Sequence, residues 1–286
     1  MKKFIRVLLL VMFILSIRNS YSQCSDAGVC IIGERHKKTN ADITANSLSF
    51  QYSLGLSGSP DNMVFHTFKF GGDFAVTNNF SVNVVLPVYS IVYKDQNVLN
   101  KNGIGDAYVI GNFITPTGKN QNLSFLGGFK LNTSSVDKQK FGFLNAQGSN
   151  DLLLGVDFNF SFLNFSGGTQ IPLTNYKDDF GNQFKRGADI MFRTGIQRRA
   201  GDFRVKFELL GIKRLSESEL IFTDGYASKI SKSDFFQLNI MGGLLFNLSP
   251  KFLMNFDAAI PMIKRDDNTD GTKRDFTSSI GIRYNI

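Results

Sequence analysis

The sequence predicts an all-β chain, closed into a transmembrane antiparallel β-barrel of about twelve strands. Three observations predict it. Apolar and polar residues alternate with period two along most of the chain, the alternating runs are long, and the segments between them are short and long by turns. Composition agrees, with 29 Phe and 27 Gly but no Trp. Beyond the N-terminus no stretch approaches the ~18 uninterrupted apolar residues of a helical membrane span.

The N-terminus reads as an export signal. Lys2, Lys3 and Arg6 precede the apolar run Val7 to Ile17, and Ser20 and Ser22 are the small residues that place cleavage before Gln23. The run is 11 residues, against the ~20 of a spanning helix. Cys24 raises a lipoprotein signal as the competing reading, but Gln23 stands where a small residue is required. Residues 1–22 are therefore expected to be removed, leaving 23–44 as a periplasmic segment and 45–286 as the barrel. The signal carries four basic residues and no acid, so its loss lowers the formal charge from +8 to +4. Much of the basic balance then belongs to export, and nucleic acid is not an expected partner. Cys24 and Cys30 flank "SDAGV" and read as a disulfide formed in an oxidising compartment. A metal site would need further ligands, and only His36 is near.

The first alternating run is "SLSFQYSLGLSG", with Leu48, Phe50, Tyr52, Leu54 and Leu56 on one face and Ser47, Ser49, Gln51, Ser53 and Gly55 on the other. Val64, Phe68, Phe70, Phe74 and Val76 then oppose Thr67, Lys69, Gly71 and Asp73. Phe80, Val82, Val84, Leu86 and Val88 follow. After the glycine-led stretch "NGIGDAYVIGNF", Leu123, Phe125, Gly127, Phe129 and Leu131 oppose Asn122, Ser124, Gly128 and Lys130. Leu152, Leu154, Val156, Phe158, Phe160 and Phe162 oppose Asp151, Asp157, Asn159 and Ser161. Phe165, Thr169, Ile171 and Leu173 oppose Ser166, Gly168, Gln170 and Thr174.

The later runs keep the rule. Ala188, Ile190, Phe192 and Ile196 oppose Asp189, Arg193 and Gln197, and Phe203, Val205, Phe207 and Leu209 oppose Arg204, Lys206 and Glu208. Phe236, Leu238, Ile240, Leu244 and Phe246 oppose Gln237, Asn239 and Asn247, and Phe252, Met254, Phe256 and Ile260 oppose Asn255 and Asp257. Phe276, Ile280, Ile282, Tyr284 and Ile286 close the chain opposite Thr277, Ser279, Arg283 and Asn285. These runs are nearer the ~9–11 residues of a tilted membrane strand than the ~5–6 of a sandwich strand. In lipid every strand must be paired on both edges, so such a sheet has to close.

The connections supply an independent check. "TNN", "PTGKNQ", a turn at Leu163–Asn164, "RRAGD" and "NLSPK" alternate with "KDQNVLNKNG", "TSSVDKQKFGFLNAQGS", "NYKDDFGNQFKRG", "KRLSESELIFTDGYASKISKS" and "KRDDNTDGTKR". Short periplasmic turns and longer extracellular loops are the habit of outer-membrane barrels. "SGSPDN" is short for an outer loop. "DDNTDG" lacks the ligand spacing of a calcium loop, so no metal is expected there.

The glycines of "NGIGDAYVIGNF" first suggest a phosphate-binding loop. That loop needs a following helix, whereas here a strand runs on to Pro116, and no Lys-Ser/Thr pair is present. Gly103, Gly105 and Asp106, then Pro116-Thr117-Gly118 and the returning "NLSFLGGFKL", together with the later "GSNDLLLGVDFNFSF", resemble the outer-membrane family named for the meta-pathway of phenol degradation. The resemblance spans about residues 45 to 286. It implies a β-barrel involved in uptake of small, often hydrophobic or aromatic compounds, and it carries no catalytic residue.

The inward face then holds Lys69, Lys130, Arg193, Arg204, Lys206 and Arg283 as bases, and Asp73, Asp106, Asp157, Asp189, Glu208 and Asp257 as acids, with Tyr108 beside Asp106. The two signs balance, which fits cross-strand ion pairs as well as a ladder that contacts solute. A barrel of ~12 strands is narrow, either a thin channel or largely plugged. A Ser–His hydrolase site is not expected, since His36 precedes the first strand and His66 lies on the apolar face between Val64 and Phe68. The function expected is passive passage of a small solute without enzymatic activity or cofactor. A non-conducting barrel with a structural or surface-binding role through its long outer loops is the alternative. Outer-membrane lipid and the barrel-assembly machinery are the expected partners.

Overall fold

The structure, a computed structural model, describes residues 46–57, 63–93, 101–118, 121–134, 148–178, 180–264 and 274–286. The export signal, Cys24, Cys30 and His36 lie outside the described residues, as do parts of "SGSPDN" and "KRDDNTDGTKR".

The strands in chain order are β1 (Ser47–Leu56), β2 (Met63–Ala75), β3 (Phe80–Tyr93), β4 (Lys101–Ile104), β5 (Ala107–Gly118), β6 (Gln121–Leu131), β7 (Asp151–Phe160), β8 (Leu163–Pro172), β9 (Tyr176–Lys177), β10 (Gln183–Lys185), β11 (Asp189–Ala200), β12 (Phe203–Arg214), β13 (Ser218–Ile221), β14 (Ala227–Ile230), β15 (Phe236–Asn247), β16 (Phe252–Ile263) and β17 (Phe276–Asn285). Thirteen of them form one antiparallel sheet in which each stave pairs with its neighbours in the chain. β4 and β5 are one stave in two pieces. β3 pairs with β5 over Phe80–Val85 and with β4 over Val88–Ile91. The wall therefore has twelve staves, and β1 closes it against β17 from Ser47↔Asn285 to Leu56↔Phe276. Closure leaves no sheet edge, which is what lipid demands of a strand-built wall.

The alternation read in the sequence sets the two faces. Phe50, Phe70, Phe113, Phe125, Phe158, Phe165, Phe207, Phe256 and Ile280 are exposed outward, while Ser124, Asp157, Ser166 and Glu208 are buried inward. β15 differs in degree, its outward Leu238, Ile240, Leu244 and Phe246 being half-exposed. Rings from β11 and β12 cover part of it. Phe192 stacks on Phe236 at 6.0 Å between centroids, and Phe203 meets Phe246 edge-on at 4.6 Å. Such pairs add ~0.5–1.5 kcal/mol beyond the area they bury.

Local chemistry ends the strands. Between β2 and β3, Val76 N–H and Thr77 N–H donate to the Phe80 carbonyl at 2.9 and 3.0 Å, and Phe80 N–H donates to Thr77 Oγ1 at 3.0 Å. Between β15 and β16, Ser249 Oγ accepts from Phe252 N–H at 3.1 Å. The β7–β8 turn sits at Ser161–Phe162, two residues before the expected Leu163–Asn164. Ser161 takes φ 54° there, and Arg198 lies 4.6 Å over the Phe162 ring. Phe162 is thus a turn residue, where the sequence alternation makes it the last outward residue of its strand.

Two long connections expected as loops have structure of their own. "NYKDDFGNQFKRG" contains β9 and β10, "KRLSESELIFTDGYASKISKS" contains β13 and β14, and the four pair as a separate antiparallel sheet in the order β14-β13-β10-β9. Both connections leave from the end of the barrel opposite the short turns.

Candidate functional site: the lumen

The glycine-led stretch forms the split stave. Gly105 N–H donates to the Pro87 carbonyl at 2.8 Å, and Asp106 sits in the gap between β4 and β5. Any side chain at Gly105 would run into the Tyr89 ring, so this glycine is required by a close approach across the wall. Asp106 shares the inward phase of Tyr108, Ile110 and Asn112 and is buried at 2 % exposure. Its Oδ2 accepts from Gly148 N–H at 3.0 Å, and its Oδ1 accepts from Ser134 N–H at 3.2 Å. The carboxylate thereby ties both ends of the β6–β7 connection to the wall.

Asp106 belongs to a buried ionic network at the long-connection end. Lys130 Nζ lies 3.2 Å from Asp106 Oδ2 and 3.0 Å from Asp151 Oδ2, and donates to Ser149 Oγ at 3.1 Å. Lys130 and Asp151 are direct cross-strand partners of β6 and β7. Arg186, next to β10, adds its Nη2 to Asp151 Oδ2 at 2.7 Å, and Gln170 Nε2 donates to the same oxygen. Beside it, Arg214 grips Asp189 with two bonds of 3.2 and 3.1 Å and donates to Ser218 Oγ at 3.1 Å. Ser218 N–H in turn donates to Ser233 Oγ at 2.8 Å. These pairs join the barrel mouth to the small sheet, and all their charged groups are almost fully buried. Buried pairs of this kind barely repay desolvation, but removing one partner is expensive.

Next along the inward face comes an apolar cluster. Tyr108, Ile110, Leu126, Leu153, Met191, Leu210 and Ile212 pack together, with Val85 and Met241 against them. Tyr108 therefore packs in this cluster, away from water, although the sequence groups it with the polar residues of its phase. The inward face is not uniformly polar, because five staves each contribute at least one large apolar residue to it.

Toward the short-turn end polar residues return. Asp73 is buried and accepts from Asn83 Nδ2 at 3.1 Å. Asp157, Arg193 and Glu208 are buried as well, with Asn164 Nδ2 donating to Glu208 Oε1 at 3.5 Å. Lys206 Nζ reaches Asp257 Oδ1 at 2.7 Å, and Asn255 Nδ2 donates to Asp257 Oδ2 at 2.7 Å. The Lys206–Asp257 pair passes directly over Gly243 on the intervening strand, where a Cβ would collide with both side chains. Lys69, Arg204 and Arg283 share this inward phase and are half-exposed.

The structure thus gathers Asp106 and Lys130 into one network, leaves Asp73, Asp157, Arg193 and Glu208 buried in the wall, and leaves Lys69, Arg204, Lys206, Asp257 and Arg283 in contact with solvent. Asp151, Gln170, Arg186 and Arg214 complete the networks without having been singled out as site residues. The alternation places Asp151 and Gln170 on the inward face. Arg214, the last residue of β12, keeps the inward phase of Arg204, Lys206 and Glu208 but falls in a stretch expected as loop, and Arg186 stands outside any alternating run. On the outward face, His66 Nδ1 lies 2.8 Å from the Tyr52 hydroxyl in an aromatic patch with Phe68.

No family model and no curated protein matches the sequence. Solved structures do match the fold. The COG4313 outer membrane channel from Pseudomonas putida F1 superposes with TM-score 0.68 at 11 % identity, over 85 % of this chain and 94 % of that one. The translocator domain of the autotransporter NalP from Neisseria meningitidis gives TM-score 0.54 at 10 % identity, over 90 % and 93 %. At these identities the likeness shows the fold alone, and it is the fold of outer-membrane barrels. A channel and a translocator domain share it, so function has to be read from this chain's own lumen.

Proposed function

We propose that the protein is a passive channel of a Gram-negative outer membrane, exported by its cleaved signal and inserted by the barrel-assembly machinery. In this reading the short turns face the periplasm and the long connections with their small sheet face outward. The carrying observation is the combination of an apolar belt around a closed wall with inward polar side chains that remain in contact with solvent, among them Gln51, Lys69 and Asn255. A wall built only for anchorage needs the belt but not the hydrated interior. The solute is small, since a twelve-stave barrel is narrow and much of its lumen is filled by side chains. Hydrophobic or aromatic compounds are the class that the family resemblance implies. The proposal includes no catalytic step.

Liposomes carrying the purified protein test this reading. Small solutes should enter faster than into protein-free liposomes, with the rate falling steeply as solute size grows. Entry equal to the protein-free rate for every solute would refute it.

One observation favours a second reading, a non-conducting barrel that binds a surface or partner. Asp106, Lys130, Asp151, Arg186, Asp189 and Arg214 at the long-connection end are buried, and the turns of the small sheet above them carry exposed Phe180 and Tyr226. Under that reading the liposomes take up nothing.

A further inference from the structure

The acids and bases of the lumen are balanced in number but not in exposure. Among the acids on the inward face, Asp73, Asp106, Asp151, Asp157, Asp189 and Glu208 are all buried. Asp257 is partly open, with 18 % of its side chain exposed. The bases divide differently. Lys130, Arg186, Arg193 and Arg214 are buried. Lys69, Arg204, Lys206 and Arg283 keep contact with solvent.

Among the described residues, the inward positions in contact with solvent include Lys69, Arg204, Lys206 and Arg283, together with the Asp257 carboxylate, which Lys206 meets at 2.7 Å. Arg204 and Arg283 form no ion pair among the described residues. Both stand near the short-turn end, Arg204 on β12 opposite Arg199, and Arg283 on β17 opposite Ser49 of β1 and Leu253 of β16. A permeating ion responds most strongly to the charges it can approach through water, and the buried acids and bases are set back from that path. Low-dielectric walls focus the field along the lumen, and rings of Arg and Lys are the means by which anion pores select.

We infer that the channel prefers anions, and that its solute class is small anions, carboxylates included. This deepens the passive-channel reading and rests on it.

The test is the reversal potential of the purified full-length barrel in planar bilayers under a KCl gradient. The expected result is a potential of the sign that marks chloride as more permeant than potassium by several-fold. Arg204→Gln and Arg283→Gln should each lower that preference, and the double variant should lower it further. Lys185→Gln should leave it unchanged, because Lys185 lies on the small sheet, 58 % exposed and paired with Glu219 at 3.3 Å. A channel that conducts but favours potassium, or whose reversal potential ignores both arginine substitutions, overturns the anion inference and leaves the channel reading standing. A folded barrel that passes no current removes both.

Discussion

At the scale of single residues, Lys130 is the inward group on which most depends. Its ammonium sits between the Asp106 and Asp151 carboxylates, with 1 % of the side chain exposed. Lys130→Met keeps the volume of the stem but strands those acids in a dry site. Breaking a buried pair from one side costs about 3–5 kcal/mol. A fall of that order in unfolding free energy should appear as a lower denaturant midpoint in detergent or liposomes. An unchanged midpoint would show that the network contributes little. Gly243→Val tests the close approach under the Lys206–Asp257 pair, since the new side chain must displace Lys206 or Asp257. It should weaken the barrel and alter any current, whereas Gly242→Ala, with nothing within 4 Å of a Cβ, should do neither. Lys130 and Asp106 were legible in the sequence because each stands in the polar phase of an alternating run. Their joining was not, because the break at Gly105 and Asp106 lets Asp106 approach a residue that the simple ladder pairs with Tyr108.

At the scale of strands, the facing of β12 can be reversed on paper and tested in the membrane. Phe207 is outward at 47 % exposure, and its neighbours Arg204, Lys206 and Glu208 point inward. Phe207→Arg should cost about 2–4 kcal/mol if it lies near the bilayer midplane, read as a loss of assembled barrel. Arg204→Leu should assemble normally. The opposite pair of outcomes would invert the facing of the strand. The strands themselves were legible nearly in full, because period two is imposed by two solvents, lipid outside and a mixed interior within. Less regular features escaped. The β7–β8 turn lies at Ser161–Phe162 because Ser161 adopts a left-handed conformation, which hydrophobic patterning does not report. The strands β9, β10, β13 and β14 have two to four residues each, too short for an alternation to stand out.

At the scale of the molecule, twelve staves and a direct β1–β17 seam make a wall without edges. Such a wall should resist unfolding by detergent at room temperature and yield on boiling, so electrophoretic mobility should differ between unheated and boiled samples. Equal mobility would count against a closed barrel. The lumen was less legible than the wall. Alternation tells which side chains point inward, but not how deeply each is covered, and burial is what separates the buried acids from the solvent-facing bases. Likewise, Ile110, Leu126, Leu153, Met191, Leu210 and Ile212 form an inward apolar cluster because they come together across several staves, and no single run shows that. The central claim is that this partly filled interior still passes solute. Single-channel recording of the purified, heat-modifiable protein in planar bilayers tests it most directly. Discrete, small current steps are the result predicted, and a correctly folded barrel that inserts without any step would contradict it.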